Sequence, residues 1–151
     1  MTARAQSLFS DDVSEAGIVA YIDGGSRGNP GPAGYGVRFE APDGQPIKEL
    51  RDAIGIATNN VAEYRGLLAA LQWALEHGYR RVQVRSDSQL LVRQMGGKYK
   101  VRHPGLQPLY ERAQRLRAQF EDVRFEHVRR AENTHADRLA NEAMDRAADP
   151  Q

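Results

Sequence analysis

The chain reads as an α/β protein: a mixed five-stranded sheet in the element order βββαβααβα, with helices on both faces. Three observations predict this class. Three strand-like segments follow one another first, separated by turns rich in Gly and Pro, which reads as an antiparallel meander. From Asn60 the apolar spacing changes from the period of a strand to that of a helix. Beyond that point strand-like runs alternate with helical ones, so the sheet is continued through crossover helices.

Each element has its own signal. Gly17 to Ile22 (GIVAYI) is a short continuous apolar run, the pattern of a strand covered on both faces, and it stops at Asp23. Gly24 and Gly25 then allow close approach of the backbone to a ligand, while Pro30 and Pro32 fix the exit of the turn and forbid a helix. That turn excludes a Rossmann or P-loop glycine motif, which must lead from strand into helix. Gly34 to Phe39 alternates as a second strand, Ala41-Pro42-Asp43-Gly44 turns the chain back, and Ile47 to Ile56 forms a third. Val61, Tyr64, Leu68, Leu71 and Leu75 then mark a long helix that stops at Gly78. Arg81 to Ser86 is a strand that again ends at an aspartate, Asp87, and Ser88 to about Met95 is a short helix closed by Gly96-Gly97. A basic loop, Lys98 to His103, precedes a helix with the stripe Leu106, Leu109, Ala113, Leu116 and Phe120. Asp122 to about Val128 is the last strand, and Ala136, Leu139, Ala140, Ala143, Met144 and Ala147 share one face of the final helix.

Length and composition bound the function. With 151 residues the chain fits one domain, expected over 17–148 after a frayed tail at 1–16. The chain has no cysteine, which excludes thiolate chemistry, disulfides and cysteine-based zinc sites. The first sixteen residues lack the apolar core of a signal peptide and no run is long enough to span a membrane, so a soluble, cytoplasmic, monomeric protein without membrane contact is expected. The formal net charge of +1 means that attraction to a polyanion must come from clustered charge and not from the overall field.

Four acidic residues occupy special places: Asp23, Glu63, Asp87 and Asp137. Three have an ordinary explanation. Glu63 follows Asn60 by three residues and Asp137 follows Thr134 by three, both resembling a capping box, and Asp87 could cap the helix after it. Geometry favours another reading. Glu63 and Asp137 lie beside their helices' apolar stripes, where a side chain can reach the rim of the sheet. If the strands before Asp23 and Asp87 are parallel neighbours, the two aspartates leave the same edge of the sheet together. Four converging carboxylates repel one another, and divalent cations are the natural remedy; oxygen-only ligation suits Mg²⁺ or Mn²⁺. Two such ions about 4 Å apart can activate a water and stabilise the leaving oxygen of a phosphodiester.

At these residues the sequence resembles the type 1 ribonuclease H family. The resemblance rests on Tyr-Ile-Asp-Gly-Gly-Ser-Arg-Gly-Asn-Pro-Gly at 21–31, Thr-Asn-Asn-Val-Ala-Glu at 58–63, Ser-Asp-Ser-Gln at 86–89 and Glu-Asn-Thr-His-Ala-Asp at 132–137, all in order and on the right elements. It implies the ribonuclease H fold and two-metal hydrolysis of the RNA strand of an RNA/DNA hybrid, leaving 5′-phosphate and 3′-hydroxyl ends. It makes Asp23, Glu63, Asp87 and Asp137 the metal-binding carboxylates and Asn29, Asn60 and Gln89 contacts to the hybrid near its 2′-hydroxyls, a group that amides can recognise. Gly24 and Gly25 belong to the same expected substrate surface. Alternatives of other classes are a hybrid-binding module without catalysis and another two-metal nuclease of the same fold. The intact acids disfavour the first, and the Thr-Asn-Asn and Ser-Asp-Ser-Gln stretches disfavour the second.

The chain departs from that pattern in two places. Many bacterial members carry an extra helix and a basic protrusion where this chain has only Gly96 to about Gly105, so Lys98, Lys100 and Arg102 are the expected phosphate contacts of the loop. Members also often place a histidine on a longer loop before the last aspartate. Here that loop is short and holds Arg129 and Arg130, and Arg130 is the residue expected to assist at the phosphate; His127 reads as part of the last strand and His135 as a first-turn residue. In this the chain resembles the compact, archaeal-type members, some of which also cut double-stranded RNA.

Overall fold

The computed structural model describes residues 17–149, and the tail expected at 1–16 lies outside the described residues. Five strands, β1 (Ile18–Ser26), β2 (Gly31–Glu40), β3 (Pro46–Ala57), β4 (Arg81–Ser86) and β5 (Asp122–His127), form one sheet in the order β3-β2-β1-β4-β5. β1, β2 and β3 are an antiparallel meander, whereas β4 and β5 extend the sheet in parallel from β1. The helices are α1 (Asn59–Glu76), α2 (Gln89–Met95), α3 (Gln107–Arg117) and α4 (Thr134–Ala148), with a single 3₁₀ turn at Arg130–Glu132 before α4. The element order is the expected one, and the 3₁₀ turn lies in what reads as a loop. No described helix is long and apolar enough to cross a membrane.

Helices cover both faces because successive residues of a strand point to opposite sides. A Cβ on Gly24 would meet the backbone of Ala62 in α1, whereas one on its neighbour Gly25 would meet the Met144 side chain in α4. The α1 face buries Ile18, Ala20 and Ile22 of β1 with Val37 and Phe39 of β2, Val82 and Val84 of β4, and Tyr64, Leu67, Leu68 and Leu71 of α1. Tyr64 is fully buried, and its hydroxyl donates to Gln94 Oε1 at 2.7 Å, which ties α2 to α1. Trp73 stacks on Phe39 with ring centroids 4.5 Å apart and on His77 at 3.9 Å, so it closes this core at the far end of α1.

On the opposite face α4 lies directly on β2, and small residues make that contact possible. A Cβ on Gly36 would stand 2.4 Å from Leu139 Cβ and 2.7 Å from the Ala136 carbonyl oxygen. Facing glycines and alanines thus let the α4 backbone approach the sheet closely. Ion pairs from Arg38 and Arg138 to Glu49, at 2.7 and 2.9 Å, join β2 and α4 to the edge strand. Being at least partly exposed, such pairs add little beside the packing. The substitution Gly36→Ala is expected to destabilise the protein by about 1–3 kcal/mol through forced overpacking, measured as a lower urea midpoint at unchanged slope; a midpoint equal to wild type would show that α4 can retreat freely.

Candidate active site

The parallel pairing of β1 with β4 ends at Ile22 opposite Ser86, so Asp23 and Asp87 are the next residues on adjacent strands. Asp23 does not end its strand, as the apolar run suggests it should. β1 continues to Ser26 because β2 goes on pairing with it on the other side, Asp23 lying opposite Gly36. Asp23 therefore sits where β1 outruns β4. Glu63 enters from the second turn of α1 and Asp137 from the first turn of α4. Carboxylate oxygens of Asp23, Glu63 and Asp87 all lie within 4.8 Å of one another. Asp137 stands outside that trio yet reaches the Asp23 carboxyl, and Arg130 Nη2 is 3.7 Å from Asp137 Oδ1.

The capping explanations of these acids do not hold. Thr58, not Asn60, caps α1, its hydroxyl accepting from Val61 N–H at 3.2 Å. Ser88, not Asp87, caps α2 by accepting from Leu91 N–H at 3.2 Å. Asn133, not Thr134, is the cap residue of α4, so Asp137 is no capping-box partner. α1 and α4 start earlier than caps at Asn60 and Thr134 would require, and α2 starts later than a cap at Asp87 would, so none of the three acids serves as a cap or capping-box partner.

Burial and crowding show in the electrostatics. Asp23 is pushed up from 3.8 to about 8, first by loss of solvent and then by the charge of Asp87 and the closeness of Asp137. Glu63 rises from 4.5 to about 7, mainly through burial, with a hydrogen bond accepted from Ser88 opposing and Asp87 adding to the rise. Burial also raises Asp87, against the pull of Arg130 and a hydrogen bond from Asn133. Such a set can ionise fully only if positive charge is supplied. Its donors are all carboxylate oxygens, which fits a hard divalent cation.

The acids line an open cleft of about 680 Å³ whose walls include Gly24, Gly25, Ser26, Arg27, Asn59, His127, Arg129, Arg130 and Asn141. Gly24 and Gly25 are thus at the cleft, but the space their missing side chains open is occupied by α1 and by Met144 and not by a free path for a ligand. Asn29 is exposed, and its Oδ1 accepts from Asn59 N–H at 2.9 Å, while Asn59 Oδ1 accepts from Ser26 N–H at 2.8 Å. This reciprocal pair clamps the glycine turn to the start of α1. Asn60 and Gln89 are exposed on the first turns of α1 and α2, outside the cleft lining. Lys98, Lys100 and Arg102 are likewise exposed and away from it; Lys98 borders a separate groove with Arg93, Arg117 and Phe125. The residues that sequence reasoning missed are Asn59, Asn133 and Asn141. The first two lie inside stretches 58–63 and 132–137, next to residues that were singled out.

The Reverse transcriptase-like family matches residues 21–143, a span that takes in all four carboxylates. The chain is 55% identical over 132 residues to the "Bifunctional protein Rv2228c" of Mycobacterium tuberculosis, covering 87% of this chain and 36% of that protein. Among solved structures it is similar to RNase H1 from the halophilic archaeon Halobacterium salinarum, at 46% identity and a TM-score of 0.82 over 85% of this chain and 97% of that one. It is similar also to LC11-RNase H1, solved in complex with an RNA/DNA hybrid, at 42% identity and a TM-score of 0.83 over 87% and 99% of the two chains. The chain belongs to the ribonuclease H family. It spans about a third of the length of the mycobacterial relative, and the two RNase H1 chains are covered almost entirely.

Membership accords with an acid cluster that destabilises the fold when ionised without metal. A carboxyl raised from 3.8 to about 8 binds its proton more tightly in the folded state. Its stabilising effect is full below the unfolded value and is lost as pH rises through the folded one. In EDTA, melting of the wild type is therefore expected to fall between about pH 4 and pH 8 from this source, and Asp23→Asn should flatten that decline. Parallel melting profiles for the two proteins would remove Asp23 as its origin.

Proposed function

We propose that this chain is an endoribonuclease that hydrolyses the RNA strand of RNA/DNA hybrids. The observation that carries the reading is the convergence of Asp23, Glu63 and Asp87 oxygens within 4.8 Å in an open cleft, with Asp137 beside them. The relation to an RNase H1 solved with a hybrid supports the same substrate. In the reaction the oxygen of a water adds to a phosphodiester phosphorus and the 3′ oxygen of the preceding nucleotide leaves, giving 5′-phosphate and 3′-hydroxyl ends. Two Mg²⁺ or Mn²⁺ ions held by the four carboxylates would supply the positive charge that both oxygens need.

The protein's own groups then have separate tasks. The four acids bind the ions and, once ionised, present no proton to the incoming water. The amides of Asn29, Asn60 and Gln89 can both donate to and accept from a 2′-hydroxyl, which separates an RNA strand from DNA. Asn29 keeps its amide N–H₂ for this task, since its oxygen is engaged by Asn59. Arg130, exposed at the mouth of the cleft, offers donors to a phosphate oxygen. Lys98, Lys100 and Arg102 add phosphate contacts farther along the duplex.

The deciding assay uses end-labelled hybrid, double-stranded RNA and double-stranded DNA of one sequence, each with Mg²⁺, Mn²⁺ or EDTA. Cleavage confined to RNA strands, abolished by EDTA and by Asp23→Asn, is expected, with the double-stranded RNA arm reporting whether the compact members' wider range extends here. Metal-independent cleavage or cutting of DNA would refute the reading. A second expectation separates two neighbours at the cleft. Arg130→Ala should lower kcat by roughly tenfold or more, about 1.4 kcal/mol of barrier, while His127→Ala stays near wild type; the reverse ranking would make His127 the participant.

A further inference from the structure

Asn133 is among the few polar side chains buried in the described protein, at 1% exposure, and it joins β1, which carries Asp23, to α4, which carries Asp137. Its Nδ2 donates to the Ile22 carbonyl at 2.9 Å, the peptide group that leads into Asp23. Its carbonyl oxygen accepts from Asp137 N–H at 3.0 Å, and its own N–H donates to the Arg130 carbonyl at 3.0 Å. Ile22 and Asn133 are 111 residues apart, so the amide is a long-range tie between the central strand and the last helix.

Asn133 Oδ1 is buried with no hydrogen-bond partner among the described residues. A buried acceptor without a partner is unfavourable, and most proteins avoid one. Turning the amide over would set its oxygen against the Ile22 carbonyl, so the orientation is fixed by the donor. A leucine of similar volume would fill the space without burying an unpaired oxygen. What leucine lacks is the N–H₂ group that holds the peptide leading into Asp23.

We propose that Asn133 is a positioning residue: its amide fixes the peptide leading into Asp23 against the start of α4, which carries Asp137, and so sets the spacing of the acids that bind the metal ions. The inference rests on the hydrolase reading only for what those acids do. Residues that orient ligands in this way typically change metal affinity or activity by about 10–100-fold when lost.

The test compares wild type, Asn133→Ala and Asn133→Leu, with Leu139→Ala as a control that weakens packing on the same helix without touching the acids. Mn²⁺ binding to substrate-free protein is followed by electron paramagnetic resonance, alongside melting and steady-state hydrolysis of a hybrid. Both Asn133 variants should bind Mn²⁺ about 10–100-fold more weakly and lose kcat by a similar factor, with KM for the hybrid nearly unchanged. Leu139→Ala should melt lower yet bind Mn²⁺ as wild type does. Wild-type Mn²⁺ affinity in folded Asn133→Leu would overturn the proposal, as would an equal loss in Leu139→Ala. Should neither Asn133 variant fold, the side-chain amide resonances of Asn133 in wild type decide: they should shift as Mg²⁺ is added, and invariance overturns the proposal. A wild type that binds Mn²⁺ but cuts no hybrid would refute the hydrolase reading and leave the metal-affinity comparison to decide on Asn133.

Discussion

The register between β1 and β4 is the constraint on which the rest of the structure depends. Because the two strands run parallel and their pairing ends at Ile22 opposite Ser86, the next residues, Asp23 and Asp87, must emerge side by side. A shift of one residue would turn one aspartate to the other face of the sheet. It would also bury a charge among Ile18, Ala20 and Ile22, the apolar residues that make β1 a central strand. The hydrophobic pattern of β1 thus helps to set the position of a carboxylate pair, since a slip by one residue would place charge in the core.

The helices reach that pair by close contact. Gly24 lets the first turns of α1 lie almost on β1, which brings Glu63 within reach of Asp23. Gly36 does the same for α4 on the other face, bringing Asp137 to the same edge. Side chains at these positions would hold both helices away, and the acids would sit too far apart to share a cation. The asparagine clamps act on what the glycines permit: Asn59 fixes the turn after β1, and Asn133 fixes the peptide before Asp23.

Much of this was legible in the sequence. The apolar runs and their change of period give every strand and helix in order, and an aspartate following each of two buried strands points to one edge. What the sequence does not reveal is pairing across long separations. Asp23 reads as a strand end because the apolar run stops there, but backbone pairing with β2 carries the strand on through Gly24, Gly25 and Ser26. Thr58 and Ser88 take the caps of α1 and α2, which leaves Glu63 without a capping-box partner at Asn60 and Asp87 one residue outside its helix cap. Gly24 reads as an opening for a ligand, and only the packed structure shows that a helix fills it. Asn133 gives no periodic signal, and its partner Ile22 lies at the other end of the chain.

The same arrangement explains why a fold would retain acids that oppose it. Without cations, Asp23 and Glu63 are held far above ordinary carboxylate values, so near neutral pH part of their charge is suppressed by protonation. Binding a divalent ion requires the protons to leave, which makes affinity rise with pH over the range where these groups titrate. Arg130 offsets some of the repulsion at Asp87 and lies near Asp137, but it is exposed. Crowded acids with an exposed arginine at the rim and a buried amide beneath them concentrate negative charge that the protein's own groups only partly offset. The instability of the empty cluster and its proposed function then have one origin: negative charge concentrated where a phosphodiester must be approached by cations.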